Sequence, residues 1–195
     1  MFIKILKKAH VMLIAVSFMA CSTFNRPSQP SVIEIEKEEQ VLYSFFVDAG
    51  EGPVLILQDT ATNTYPGDSQ DTINYLKEGL PDLSSQTLEN FMERNAQVGT
   101  LSPDMNLGVE YILLTTEELS EITSQPNWGE VLSGTYSGAH GYTVFSRVGF
   151  NRSLDQAIIY VAQVSGPLMG SGYYYLMEKK NGEWRIMNEI MVWIS

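Results

Sequence analysis

The chain has 195 residues, 44% hydrophobic and 18% charged, with 23 acidic against 12 basic residues and a net charge of −11. That apolar fraction excludes wholesale disorder, and the length suits a domain of about 150 residues plus a short extension. One Cys excludes an internal disulfide framework and a cysteine-cluster metal site, and the scattered Lys and Arg exclude nucleic acid as an expected partner.

The first eight residues, Met1 to Lys8, carry Lys4, Lys7 and Lys8 and no acid. Val11 to Ala20 is an uncharged, mostly apolar run of ten residues, about half of what a membrane-crossing helix needs. A basic start followed by a short apolar stretch is the layout of an export signal, expected here over residues 1–20. Phe18-Met19-Ala20-Cys21-Ser22 comes next. It resembles the lipobox of bacterial lipoproteins in Ala20 and Cys21, and departs from it in Phe18 and Met19. The resemblance implies that Cys21 becomes the lipid-modified mature N-terminus. Two or three acyl chains would then hold the protein on a membrane, as one alone would not. An unpaired thiol in an exported protein also finds its explanation in acylation. By the same resemblance, Ser22 rather than Asp after the Cys implies the outer membrane in a cell that has one. Without its three leader lysines the chain carries 9 basic and 23 acidic residues, a net −14. Such a surface repels anionic lipid, so membrane attachment falls to the acyl chains.

Residues 21–31 are polar, with Pro27 and Pro30, and predict a flexible tether ahead of one α+β domain over 32–195. Val41, Leu42, Phe45 and Phe46 predict a helix from Val32 to Val47. Val54 to Leu57 reads as a buried strand. Asp71 to Gly79 reads as a helix, and a second one begins after Ser84 or Ser85 and runs to about Ala96. Residues 98–108 are irregular. Tyr111 to Leu114 predicts a strand, Thr115 caps a short helix reaching Ile122, and Trp128 to Leu132 predicts a further helical turn.

From Tyr142 onward the period changes to two. Strands are expected at Tyr142–Phe150, Gln156–Val164, Tyr173–Glu178 and Trp184–Ile194, with Gly166 to Gly172 as a loop. Asn181-Gly182 is a two-residue hairpin signal, since both residues tolerate positive φ. On the last strand Trp184, Ile186, Ile190, Val192 and Ile194 are expected to share one face. Short links between consecutive strands predict a four-stranded antiparallel meander with the helices packed on it, an α+β fold. The ending Asn181-Gly182-Glu183-Trp184-Arg185-Ile186 resembles that of nuclear-transport-factor-2-like and polyketide-cyclase-like cones, over about 15 residues. The last 70 or so residues, with Ser146-Arg147-Val148-Gly149-Phe150-Asn151, resemble a group of uncharacterised exported bacterial proteins, a likeness that implies no activity.

Candidate site residues are few. His140 is the one His beyond the leader, so neither a zinc nor a haem site is expected, and no cofactor motif is present. Ser137 with His140 and Asp155 would make a nucleophile, base and orienting acid, but no Gly-x-Ser-x-Gly elbow accompanies them. Gly166 to Gly172 is Gly-rich but lacks the Lys and Thr of a phosphate loop. Asp68 and Asp71 are spaced for helix capping rather than for a calcium loop. Arg147, mid-strand, needs a carboxylate or an anionic ligand, with Glu189 as a candidate partner. Tyr173, Tyr174 and Tyr175 place rings on both faces of a strand, and Tyr174 can join Tyr160 and Trp193 in a recognition surface. The expectation is a lipid-anchored envelope protein that binds a ligand or a partner protein without catalysis. The alternative is a cone-shaped pocket that binds or transforms a small molecule, with Arg147, His140, Tyr160 and Tyr174 near its mouth.

Overall fold

The computed structural model describes residues 29–63 and 67–195, so the expected signal segment, Cys21 and the expected tether up to residue 28 lie outside the described residues. Four helices begin at side chains that accept their first free N–H groups. Ser31 caps α1 (Val32–Phe45) and Glu34 reaches back to the Ser31 N–H at 2.7 Å, closing a capping box. Asp68 and Asp71 do the same for α2 (Ser69–Gly79), and Ser84 caps α3 (Ser85–Arg94). Thr115 and Glu118 close the box of α4 (Thr116–Thr123), and α5 (Trp128–Thr135) comes after it. Among the described residues no helix is long and apolar enough to cross a membrane.

The strands are β1 (Val54–Leu57), β2 (Tyr111–Leu114), β3 (Tyr142–Phe145), β4 (Gly149–Phe150), β5 (Gln156–Gly166), β6 (Met169–Lys180) and β7 (Glu183–Ile194). They form one mixed sheet in the order β2-β1-β3-β5-β6-β7, with β4 beside β5. The α+β class holds, but the four-stranded antiparallel meander is corrected. β1 lies parallel to both β2 and β3, and the antiparallel pairing begins only at β3 with β5. Local periodicity marks Val54–Leu57 and Tyr111–Leu114 as strands, but parallel partners meet only through long crossovers, which local pattern does not show.

Helices cover both faces. Alternation along β5 sends Ala157, Ile159 and Val161 to the side of α1, where they join Leu42, Tyr43 and Phe145. Ile158, Tyr160 and Ala162 face the other side, against Leu76 and Leu80 near α2 and Leu88 and Phe91 of α3. On that same side, at the β1 end, Leu55 and Leu114 pack with Leu119, Ile122, Trp128 and Leu132 of α4 and α5.

Three details of the C-terminal strands differ from expectation. The segment Gly166 to Gly172 is no loop: β5 and β6 run almost to each other and turn at Pro167-Leu168. The expected face of β7 is split by two register shifts against β6, one between Leu176 and Met177 and one between Gly172 and Tyr173. Each shift inserts an extra residue and reverses the parity, so Trp184 joins the α1 side while Ile190, Val192 and Trp193 join the other. The third difference is that the expected strand 142–150 is interrupted at Ser146, Arg147 and Val148. There the Ser146 hydroxyl accepts the Tyr160 N–H at 2.9 Å, while the Ser146 carbonyl accepts from the Tyr43 hydroxyl at 3.1 Å.

The interruption is organised by Glu39 of α1, a carboxylate only 5% exposed. It accepts from Arg147 Nε at 3.0 Å and Nη2 at 2.8 Å, from Arg94 Nη2 at 3.1 Å, and from the Val148 N–H at 2.8 Å. Asn95 completes the bracket: its Oδ1 accepts the Arg147 N–H at 2.8 Å and its Nδ2 donates to the Arg147 carbonyl at 2.9 Å. The neighbouring Glu38 binds Lys179 at 2.6 Å and the Trp184 indole N–H at 2.7 Å, so adjacent carboxylates fasten α1 to two parts of the sheet.

Glu39→Ala leaves two guanidinium groups without their common acceptor and should cost about 3–5 kcal/mol, read as a lower urea midpoint at unchanged slope. A loss under about 1 kcal/mol would show that the network contributes little. Burial, and then the Glu39 charge, push the Tyr43 hydroxyl well above its ordinary value. Unfolded Tyr ionises near pH 10 and folded Tyr43 does not, so the folded state is penalised as pH rises past about 10. Tyr43→Phe should therefore flatten the alkaline limb of the stability curve.

Candidate functional site

On the sheet face opposite α1, the α2–α3 pair and the α4–α5 pair leave strand surface uncovered between them. The opening is a cavity of about 470 Å³. Its floor is Val144, Ala162 and Val164, and its walls are Tyr142, Tyr160, Tyr174 and Trp193. Ala61 and Thr62, on the chain leaving β1, complete the lining.

The walls are set by contacts with the flanking helices. The Tyr174 ring lies edge-on to Phe91 of α3 at 5.8 Å, and the Tyr142 ring lies 6.1 Å from Trp128 of α5. Tyr160 and Tyr174 meet at 5.3 Å, inside the range of favourable aromatic pairs. The Trp193 indole N–H donates to the Tyr160 hydroxyl at 2.7 Å. Trp193 lies across β6 where it carries glycines. A β-carbon on Gly172 would collide with the indole nitrogen and stand 2.6 Å from the Tyr160 hydroxyl, and one on Gly170 would stand 3.0 Å from the indole ring. These two glycines give the indole its seat.

The four residues singled out from the sequence do not form one site. Tyr160 and Tyr174 line this cavity together. Arg147 faces the α1 side, beside a smaller cavity of about 220 Å³, and is engaged by Glu39 rather than by Glu189. Burial pulls the Arg147 pKa down, but the Glu39 carboxylate more than offsets this and holds it above its ordinary value. Glu189 instead pairs with Tyr175 at the outer strand. His140 is exposed and borders a separate cleft of about 250 Å³ at the start of β1 and β3. The Ser137, His140 and Asp155 arrangement is corrected as well. Asp155 precedes the first residue of β5, whereas Gly141, next to His140, abuts Val164 near its other end, about 25 Å along a strand.

The Ser146 to Asn151 segment is bound residue by residue into the fold. Beyond the contacts at Ser146, Arg147 and Val148, Phe150 donates its N–H to Asn90 Oδ1 at 2.8 Å and Asn151 Oδ1 accepts from the Asp155 N–H at 3.1 Å. Gly149 lies so close to α3 that a β-carbon there would stand 2.6 Å from the Phe91 Cα. Tyr142, Val144 and Ala162 were not expected as lining. Their signal was the alternation that aims Tyr142 and Val144 to the side of Tyr160, with small Ala162 leaving room between bulky neighbours.

Among the described residues no group of three or more His, Cys, Asp or Glu side chains is arranged to hold a metal ion. No known family, curated protein or solved structure matches the chain.

Gly172→Val should displace Trp193 and break its bond to Tyr160. The expected result is a red-shifted tryptophan emission and a loss of about 1–3 kcal/mol of stability. An unchanged emission spectrum would mean that the indole does not depend on the glycine seat.

Proposed function

We propose that the protein is an exported envelope protein, anchored through acylated Cys21, that acts without catalysis by binding a small molecule between its two helix pairs. The observation that carries this reading is the aromatic-walled cavity of about 470 Å³, in the size range of small-molecule sites. Among the described residues its lining includes no carboxylate, imidazole, amine or thiol. Such a lining suits holding a molecule better than moving protons or attacking bonds. The likeness of the closing hairpin to cone-shaped domains supports a pocket on the sheet, and the lipobox-like Phe18-Met19-Ala20-Cys21 supports the anchor.

The two halves are tested separately. Mass spectrometry of the mature N-terminus should find a diacylglyceryl Cys21, whereas an unmodified chain starting at Thr23 removes the anchor. For the pocket, the probe is N-phenyl-1-naphthylamine, an uncharged dye that brightens in apolar surroundings. The wild-type protein should bind it saturably. Ala162→Trp fills the floor and should weaken binding at least about tenfold, a loss of about 1.4 kcal/mol. Equal binding by a folded Ala162→Trp variant would move the ligand site elsewhere.

A further inference from the structure

The lining that makes a binding pocket also selects what can enter it. Resting on the pocket proposed above, we infer that its ligand is an uncharged, flat ring compound that presents a hydrogen-bond acceptor to the Tyr142 hydroxyl.

Charge is the first discriminator. Among the described residues the lining holds no acidic or basic side chain, so a carboxylate, phosphate or ammonium group entering the cavity would lose water and gain no counter-charge from them. The acidic surface adds repulsion against anions, since the full chain already carries a net −11. Sugars are disfavoured for a different reason. A buried sugar needs a ring of acceptors for its hydroxyl protons, and among the described residues the lining offers no carboxylate or side-chain amide.

Shape is the second. Four aromatic side chains surround an aliphatic floor, and two of them, Tyr160 and Trp193, are locked together by a hydrogen bond. Rigid rings bounding an aliphatic floor complement a flat molecule, which stacks and loses little internal freedom on binding. A flexible chain of equal carbon number loses more.

Tyr142 supplies the polar contact. The Trp193 donor is already used on Tyr160, whereas the Tyr142 hydroxyl makes no hydrogen bond among the described residues. Tyr142 borders both this cavity and the neighbouring His140 cleft. Burial raises its pKa, so it remains a neutral O–H donor across the physiological range.

Displacement of N-phenyl-1-naphthylamine at pH 7 tests this with three competitors: 2-naphthol, 2-naphthoate and 1-decanol. The wild-type protein should prefer 2-naphthol over each of the other two by at least about tenfold. Tyr142→Phe should weaken 2-naphthol about fivefold and leave naphthalene unchanged. Equal or tighter binding of 2-naphthoate overturns the neutral class, and equal or tighter binding of 1-decanol overturns the flat one. Unchanged 2-naphthol affinity in Tyr142→Phe overturns the role of the hydroxyl. In all three cases dye binding that still depends on Ala162 leaves the pocket itself standing. Dye binding that ignores Ala162→Trp removes both.

Discussion

The fold turns on one buried carboxylate. Glu39 receives two arginines and a backbone N–H from two separate parts of the chain: Arg94 of α3, and Arg147 with the Val148 N–H in the interruption after β3. An isolated charge at 5% exposure would be prohibitive, so Glu39 is tolerable only because every oxygen is occupied. In return it defines where α1 lies on the sheet. It also makes the break between β3 and β4 a fixed feature rather than a fault, because Arg147 has to leave the strand to reach it. No buried side-chain nitrogen or oxygen among the described residues lacks a partner, so the polar interior is closed as well as crowded.

From that bracket the layout of the other face derives. With β3 and β4 held as one interrupted strand along β5, the pleat aims Tyr142, Val144, Tyr160 and Ala162 to the same side. The helix pairs cover the two ends of this surface and leave its middle open. Each pair lends an aromatic side chain, Phe91 or Trp128, that orients a wall tyrosine. Packing, rather than a catalytic motif, therefore positions the pocket.

Local chemistry was legible and distant pairing was not. Thr115 with Glu118, and Ser84, cap as their spacing implies, because a cap involves residues within one turn. The Asn181-Gly182 turn, with φ of 54° and 86°, is equally local. Arg147 was visible as a charge in need of a carboxylate, but its partner stands 108 positions earlier among four closely spaced acids, where nothing distinguishes Glu39 from Glu38 or Glu36. The parallel pairing of β1 with β2 and β3 was hidden for the same reason. The bulges in β7 were hidden too, since an extra residue changes parity without leaving a mark in composition. Tyr160 and Tyr174 were found because large rings on a central strand are conspicuous. Their shared cavity depends on Ala162 and Gly172, whose contribution is absent bulk.

Where α1 begins has a consequence for how the molecule would stand on a surface. The Glu38 contact with Lys179 and Trp184 places the start of α1 at the Asn181-Gly182 end of the long hairpin, whereas Trp193 and its glycine seat lie toward the opposite end. In the proposed anchored form, the anchor would therefore join the domain through the helix that begins at the end opposite the aromatic cavity.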